Sequence, residues 1–451
     1  MNRRFFLENL GCAKNQVDAE IMIAALEADG WERTDDVEAA STVLVNTCGF
    51  IEPAKQESIN VTLEYIGALP DARVVMTGCL SQRYPEELAA ELPEVAGVFG
   101  NRAPARIPEF LAALEAGGPR TMVPSGGLES HQRTHLLSFP GSAFVKVSEG
   151  CDNRCSFCAI PLIRGSMRSK RPDDVIREIE ELIARGIREI NLVAQDLASY
   201  GRDLEDADPV ALLRGISALE GDFWVRLLYV YPEHFPDAFF PVLRDDPRLL
   251  PYFDIPFQHA SREVLRRMGR PGTAEKYLSL VTRIRSELPD AVLRSTLLVG
   301  FFGETEDAFE ELLAFQAEAK LDWLGVFPYS PEEGTPAMSA GFAQREASAL
   351  EVSPELASRR AALVEERQRE ITHAQMERFV GRDLDVLVEE MIPEEPLALG
   401  RCYAQAPEVD GSVVINLPDD ASPLRARVQP GQFVRCRIVR RNGLDLEAVP
   451  L

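Results

Sequence analysis

Val147-Ser148-Glu149-Gly150-Cys151-Asp152-Asn153-Arg154-Cys155-Ser156-Phe157-Cys158 places three of the eight cysteines of this chain within eight residues. Three thiolates on one tight loop can hold three corners of an iron-sulfur cube, whereas structural zinc takes four ligands in a closed tetrahedron. A cube held this way keeps one iron open.

A redox disulfide, half of a zinc ribbon or three incidental reactive thiols would also bring cysteines together. A zinc ribbon needs a second Cys-x2-Cys about fifteen to twenty residues on, and none follows Cys158. The spacing Cys-x3-Cys-x2-Cys, with Phe157 just before the last cysteine, resembles the signature of radical S-adenosylmethionine (SAM) enzymes. The resemblance implies that Cys151, Cys155 and Cys158 ligate a 4Fe-4S cluster. It also implies that the open iron takes the amino and carboxylate groups of SAM, with Phe157 near the adenine.

At 451 residues the chain exceeds what one hydrophobic core usually serves, so two or three domains are expected. A hydrophobic share of 45% and a charged share of 27% belong to a soluble globular protein. The start, Met1 to Glu8, has too short an apolar run for a signal peptide, and no later run approaches a bilayer span. Eight cysteines without a secretory signal then argue for reduced, metal-ligating thiols in the cytoplasm. The net charge of -24 repels phosphate backbones at long range and attracts basic partners.

The fold class expected is α/β with a small β-barrel at the end. In residues 1–117, apolar runs at Arg4–Leu10, Thr42–Asn46 and Ala72–Thr77 alternate with helix-period segments at Gln16–Asp29, Glu52–Ile66 and Arg106–Ala116. That alternation predicts a parallel sheet with helices on its faces. Cys12, Cys48 and Cys79 each come just after a predicted strand, and consecutive strand ends of a parallel sheet emerge on one edge. One such cysteine is a buried small hydrophobe more often than a ligand; three in the same placement reverse that expectation. Leu10-Gly11-Cys12-Ala13-Lys14-Asn15-Gln16-Val17-Asp18-Ala19-Glu20, Asn46-Thr47-Cys48 and Thr77-Gly78-Cys79 resemble the amino-terminal domain of methylthiotransferases, a radical SAM branch with a second 4Fe-4S cluster. The resemblance implies that Cys12, Cys48 and Cys79 hold that cluster and that its open iron handles the sulfur to be transferred.

Residues 118–142, rich in Gly, Pro and Ser, read as a linker, in which His131 and His135 are solvated loop residues. From 143 to 370 six strand-helix units follow, which suits a partial (β/α)6 barrel with the cluster loop after its first strand. Barrel chemistry gathers at the carboxyl ends of strands, where Ala194-Gln195-Asp196, Ile255-Pro256-Phe257-Gln258-His259-Ala260 and Gly300-Phe301-Phe302-Gly303-Glu304-Thr305-Glu306 fall, with Arg226 inside the third strand. All resemble methylthiotransferase motifs. The resemblance implies that Gln195 and Glu304 contact SAM, and Arg226 is a candidate for its carboxylate because a guanidinium pairs bidentately with that group. On the blander reading Glu304 with Thr305 only opens a helix, and Gln195, Asp196 and His259 satisfy loop backbone.

Residues 371–451 change to five short alternating strands divided by turns such as Asp410-Gly411 and Asn442-Gly443, which suits a small antiparallel barrel. The segment resembles a TRAM domain, often used to hold RNA. Here Glu389, Glu390, Glu394, Glu395, Glu408, Asp410, Asp419 and Asp420 crowd its first half, while Arg435, Arg437, Arg440 and Arg441 gather late. Such a face matches a basic protein better than RNA. Cys402 and Cys436 read as packed thiols.

Two methylthiotransferase branches compete, one modifying an isopentenylated tRNA adenosine and the other an aspartate on the twelfth protein of the small ribosomal subunit. Leu10-Gly11-Cys12-Ala13-Lys14-Asn15-Gln16-Val17-Asp18, Ser148 to Cys155, Ala194-Gln195-Asp196 and Ala406-Pro407-Glu408-Val409-Asp410-Gly411 resemble the ribosomal-protein branch. Ala13, Leu197, Phe302 and Cys402 depart from the motifs, and none is an expected ligand. The resemblance implies a cytoplasmic monomer that uses SAM, two 4Fe-4S clusters and a one-electron reductant on a basic ribosomal protein. A non-catalytic iron-sulfur scaffold that binds RNA is the rival from another class.

Overall fold

The first six strands are β1 (Arg4–Asn9), β2 (Glu32–Arg33), β3 (Thr42–Thr47), β4 (Arg73–Thr77), β5 (Gly97–Gly100) and β6 (Thr121–Met122), and in the computed structural model they form one parallel sheet in the order β2-β1-β3-β4-β5-β6. The structure describes residues 3–126, 128, 132–346, 351–418 and 424–451; His131, Asp419 and Asp420 lie outside them. Every residue of β3 is buried, as a near-continuous run of Val and Leu requires when both sheet faces are covered. β2, β5 and β6 are too short to stand out from their surroundings in the sequence, and only the sheet reveals them.

Helix α1 (Ala13–Ala28) is buried on nearly every side, polar residues included. Ala19, Met22, Ile23 and Leu26 pack on the first sheet with Phe5 and Leu44, while Ala13, Val17 and Ile21 pack against Phe144, Val193 and Leu228 of the next unit. Each such aliphatic side chain contributes about 1.5–3 kcal/mol when fully buried. The helix is thus a plank shared by two sheets.

The second sheet contains β7 (Ser142–Lys146), then β10 (Glu189–Val193), β11 (Trp224–Leu227), β12 (Leu249–Asp254), β13 (Val292–Val299) and β14 (Trp323–Pro328), all parallel and in sequence order. A short antiparallel ribbon, β8 (Ser148–Glu149) with β9 (Arg168–Ser169), closes the base of the cysteine loop. Along the strands, side chains alternate between two cores. Val145, Leu192, Leu227, Phe253 and Leu297 face the outer helices, whereas Phe144, Val193, Leu250, Tyr252 and Trp323 face inward. The expected six-stranded partial barrel is observed.

Strands β15 (Asp383–Met391), β16 (Leu397–Arg401), β17 (Val413–Asn416), β18 (Phe433–Asn442) and β19 (Asp445–Pro450) close into a barrel in the order β15-β16-β17-β19-β18. It is not antiparallel throughout, because β17 and β19 run parallel. Five strands cannot alternate direction all the way around a closed ring, so one parallel pair is obligatory. Cys402 and Cys436 are fully buried there. The connection from β16 to β17 enters the concave face of the larger barrel: Trp323 Nε1 donates to Ala404 O at 2.7 Å and Tyr252 Oη to Asp410 Oδ2 at 2.6 Å.

The segment expected to be a linker is tied down at two points. β6 joins the first sheet, and buried Arg133 donates to Glu20 and Glu178 at 2.5 and 2.8 Å, bridging α1 and the barrel unit. No helix among the described residues is long and apolar enough to cross a membrane.

Candidate metal centre: two cysteine trios at one seam

β1, β3 and β4 end in step, with Asn9 opposite Asn46 and Asn46 opposite Thr77. Cys12, Cys48 and Cys79 follow those residues at once, so all three thiols leave the same edge of the sheet. Their loops touch. A Cβ added at Gly49 would lie 2.8 Å from the carbonyl carbon of Cys79, and one at Gly78, whose φ is +93°, would lie 2.5 Å from Thr47 O. Asn15, in the first turn of α1, donates to Thr47 O at 2.9 Å and accepts from the Cys79 thiol at 3.2 Å.

The thiols also sense one another electrically. Burial pushes the Cys79 thiol up to about 12, and the charges of Cys12 and Cys48 add to the shift. Cys48 is raised by burial and, after a backbone N–H that opposes it, by Cys12. Cys12 is lowered, because the charges of Lys14 and Arg164 and nearby backbone N–H groups outweigh its burial. Cys12 keeps accessible surface.

The second trio sits on the loop after β8. Burial pushes Cys151 up to about 11 and Cys158 up to about 12, and raises Cys155; Cys155 and Cys151 each add to the shift at Cys158. Helix α6 (Ile160–Arg164) starts directly after this loop, and Ala159 and Ile163 pack on Cys79. Its last residue, Arg164, reaches into the first trio and donates to Cys79 Sγ at 3.2 Å and Asn15 Oδ1 at 2.7 Å. The same guanidinium donates to Asp18 and Glu149, both at 2.8 Å. Among the described residues no three His, Cys, Asp or Glu side chains converge tightly enough for a single metal ion. A cube sets its corner irons apart, and the thiols that hold it spread accordingly.

Residues 4–100 match an uncharacterized protein family, UPF0004, residues 145–315 the radical SAM superfamily and residues 380–451 the TRAM domain. The ribosomal protein uS12 methylthiotransferase RimO of Treponema denticola is 41% identical to this chain, with 97% of this chain and 99% of that one covered. Its counterpart from Desulforudis audaxviator is 42% identical, with 99% and 96% covered. The chain belongs to the RimO family of ribosomal protein uS12 methylthiotransferases. Members of the RimO family carry a radical SAM unit, so SAM and 4Fe-4S clusters are their cofactors. Among solved structures, the radical SAM methyltransferase TsrM from Kitasatospora setae superposes with a TM-score of 0.54 at 18% identity, over 73% of this chain and 77% of that one. At that identity the likeness is one of fold.

Of the side chains expected around SAM in this RimO-family chain, two face elsewhere. Arg226 is fully buried low in the barrel, where it donates to Glu189 Oε1 at 3.0 Å and Tyr403 O at 2.8 Å and stacks on the Tyr252 ring. Its guanidinium meets the connection from β16 to β17 of the small barrel at Tyr403. Glu304 is fully buried too, and its carboxylate accepts from Gly300 N at 2.7 Å and Arg360 at 2.8 Å. It braces the long helix Pro354–Glu377 instead of opening a cofactor pocket.

Gln195 does lie beside the cysteine loop. Its Nε2 donates to Glu149 Oε1 at 3.0 Å, while its buried Oε1 has no donor among the described residues. Phe157 packs edge-on to Phe301 with centroids 6.3 Å apart. Asp196 accepts from Asn153 and Ser199 next to Cys151, around a cavity of about 320 Å³. Asp18, Lys146, Glu149 and Arg164, the charged lattice between the trios, escaped sequence reasoning. The available signal was a run of charged residues inside otherwise apolar elements, which a buried ion network produces as readily as a solvated face.

Proposed function

We propose that this chain inserts a methylthio group at the β-carbon of an aspartate in ribosomal protein uS12. Cys151, Cys155 and Cys158 would hold the cluster that binds SAM, and Cys12, Cys48 and Cys79 the second cluster. When bound, these groups would supply one-electron cleavage of SAM to a radical that takes a hydrogen atom from carbon, together with sulfur and a methyl donor. The protein's own part is placement. α1 and α6 close the seam between the trios, Gln195 Oε1 offers the SAM ammonium an acceptor, and Phe157 supplies an apolar wall. The barrel interior excludes water, since the connection from β16 to β17 fills its lower half.

The observation that carries this reading is the contact of Cys79 with Ala159, Ile163 and Arg164, which links the two trios. The substrate class has independent support. Arg435, Arg437, Arg440 and Arg441 are each paired with a carboxylate, Asp385, Asp383, Glu447 and Glu377, so that stretch of the small barrel offers RNA no uncompensated charge. Two of its acids are internal: Glu389 pairs with Arg401, and Asp410 is held by Tyr252. The remaining negative charge suits a basic ribosomal protein. We take residues 1–117, 143–370 and 371–451 as the functional units, with 118–142 connecting them, in a cytoplasmic monomer served by a one-electron reductant.

Anaerobic reconstitution, then dithionite and SAM with either uS12 or isopentenylated tRNA, tests the proposal by mass spectrometry. Methylthiolated uS12 and unmodified tRNA are expected. Modified tRNA with untouched uS12 would overturn the substrate, and absence of 5'-deoxyadenosine would overturn the chemistry. Replacing Cys12, Cys48 and Cys79 by alanine should abolish methylthiolation while one cluster remains.

A further inference from the structure

Among the described residues three lysines are buried, and two of them have the carboxylate counter-ions that burial demands. Lys146 lies between Asp18 and Glu149, and Lys170 donates to Glu178 at 2.6 Å. Lys14 is only 7% exposed, yet among the described residues no carboxylate stands within ion-pair reach of its Nζ. Its neighbours are the carbonyl oxygen of Ala194, at 3.4 Å, and the face of the Tyr229 ring, whose centroid is 3.5 Å away. An ammonium carries three donors, and one long bond and one ring do not satisfy them. Nearby cations are already occupied: Arg294 by Asp254 and Asp410, and Arg164 by Asp18 and Glu149.

The position of this lysine, with which no carboxylate pairs among the described residues, is informative. Lys14 is in the first turn of α1, two residues past Cys12, and its side chain crosses to the carboxyl ends of β10 and β11. Ala194 immediately precedes Gln195. Tyr229, which follows β11, holds a φ of +63°, a conformation costly for a non-glycine residue and typical of sites where side-chain direction matters. The ammonium therefore lies where the first trio, the Gln195 loop and the barrel interior meet. Under the function proposed above, the substrate carbon has to enter there, and the β-carbon of an aspartate is bonded directly to a carboxylate.

We infer that Lys14 is the anchor for the side-chain carboxylate of the substrate aspartate. The free enzyme holds a buried cation with no carboxylate partner among the described residues, and the substrate brings one. Such an anchor also discriminates. A neutral base of RNA gives the ammonium no counter-charge, and a ribosomal protein without an acid at that position leaves it unpaired. Lys14 belongs to the Leu10-to-Asp18 opening that resembles the protein-modifying branch, so the residue that sets the substrate class lies inside the motif that marks it.

The test compares two uS12-derived peptides, one with the target aspartate and one with asparagine in its place. Reconstituted holoenzyme is used as wild type, Lys14→Met and Lys14→Arg. Wild type is expected to bind the aspartate peptide about tenfold more tightly or better, the scale of one buried charge-assisted hydrogen bond. In Lys14→Met the preference falls to about one, chiefly through weaker binding of the aspartate peptide, and Lys14→Arg retains it. Equal affinity of wild type for both peptides overturns the inference, and that measurement needs no variant. It is overturned equally if Lys14→Met keeps the preference while the reduction potential of the first-trio cluster moves, because Lys14 would then only offset charge beside Cys12. The function proposed above fails separately, by absence of methylthio product on the aspartate peptide with wild type.

Discussion

Arg164 Nη2 donates a hydrogen bond to Cys79 Sγ at 3.2 Å, and the two residues lie on helices that belong to different sheet units of the molecule. Arg164 ends the helix that follows the barrel's cysteine loop, while Cys79 starts the helix that follows β4. One guanidinium thus ties the geometry of one trio to the other.

Arg164→Met should damage both stability and cluster retention. It would leave Asp18 and Glu149 sharing only Lys146, and removing one partner of a buried ion network costs about 3–5 kcal/mol. Denaturant unfolding of the apoprotein measures the first effect. Iron content after reconstitution measures the second and is expected to fall toward one cluster per chain.

Glu189 gives the contact between the two barrels a defined acid sensitivity. Burial pushes its carboxyl up, but Arg401 and Arg226 more than offset that and hold it below the usual carboxylate range. A depressed carboxyl contributes stability that is complete above its unfolded value, about 4.5, and that is lost as pH falls through the folded one. Thermal unfolding from pH 7 downward should show this loss beginning near about pH 4.5. Glu189→Gln should destabilise the protein at pH 7 by about 3–5 kcal/mol and flatten the acid limb.

Gly78→Ala should displace Cys79. Its φ of +93° disfavours any side chain, and the added Cβ would meet Thr47 O at 2.5 Å, a backbone atom held in the sheet. Strain of this kind costs about 1–3 kcal/mol, and relieving it moves the thiol that follows. Reduced iron content with intact barrel-cluster electron paramagnetic resonance is the expected signature.

Gln195→Leu and Arg226→Lys separate the two side chains once assigned to the same cofactor. The first removes the orphan acceptor beside the cysteine loop and should weaken SAM binding about tenfold in equilibrium dialysis. The second alters a contact with Glu189 and Tyr403, so SAM affinity should hold while the unfolding midpoint falls.

Much of this protein is legible along the chain. Alternation of apolar runs and helix-period segments, strand-end cysteines and the Cys-x3-Cys-x2-Cys loop are local patterns, because strand and helix periodicity and ligand spacing act over a few residues. They determined the two parallel units and the final small barrel, and they singled out six cysteines. Tertiary structure decided which side chains those patterns bring face to face. Arg226 and Glu304 looked like cofactor ligands because they sit near barrel strand ends, yet packing gave them Glu189, Tyr403, Gly300 and Arg360 as partners. Lys14, Arg164 and Asn15 drew no notice as single residues, since a buried charge is recognised only by what surrounds it. Counter-ions and orphaned donors arise between segments more than a hundred residues apart, as with Lys14 and Ala194 or Arg164 and Asp18, and desolvation, which sets their energy, belongs to the folded interior alone.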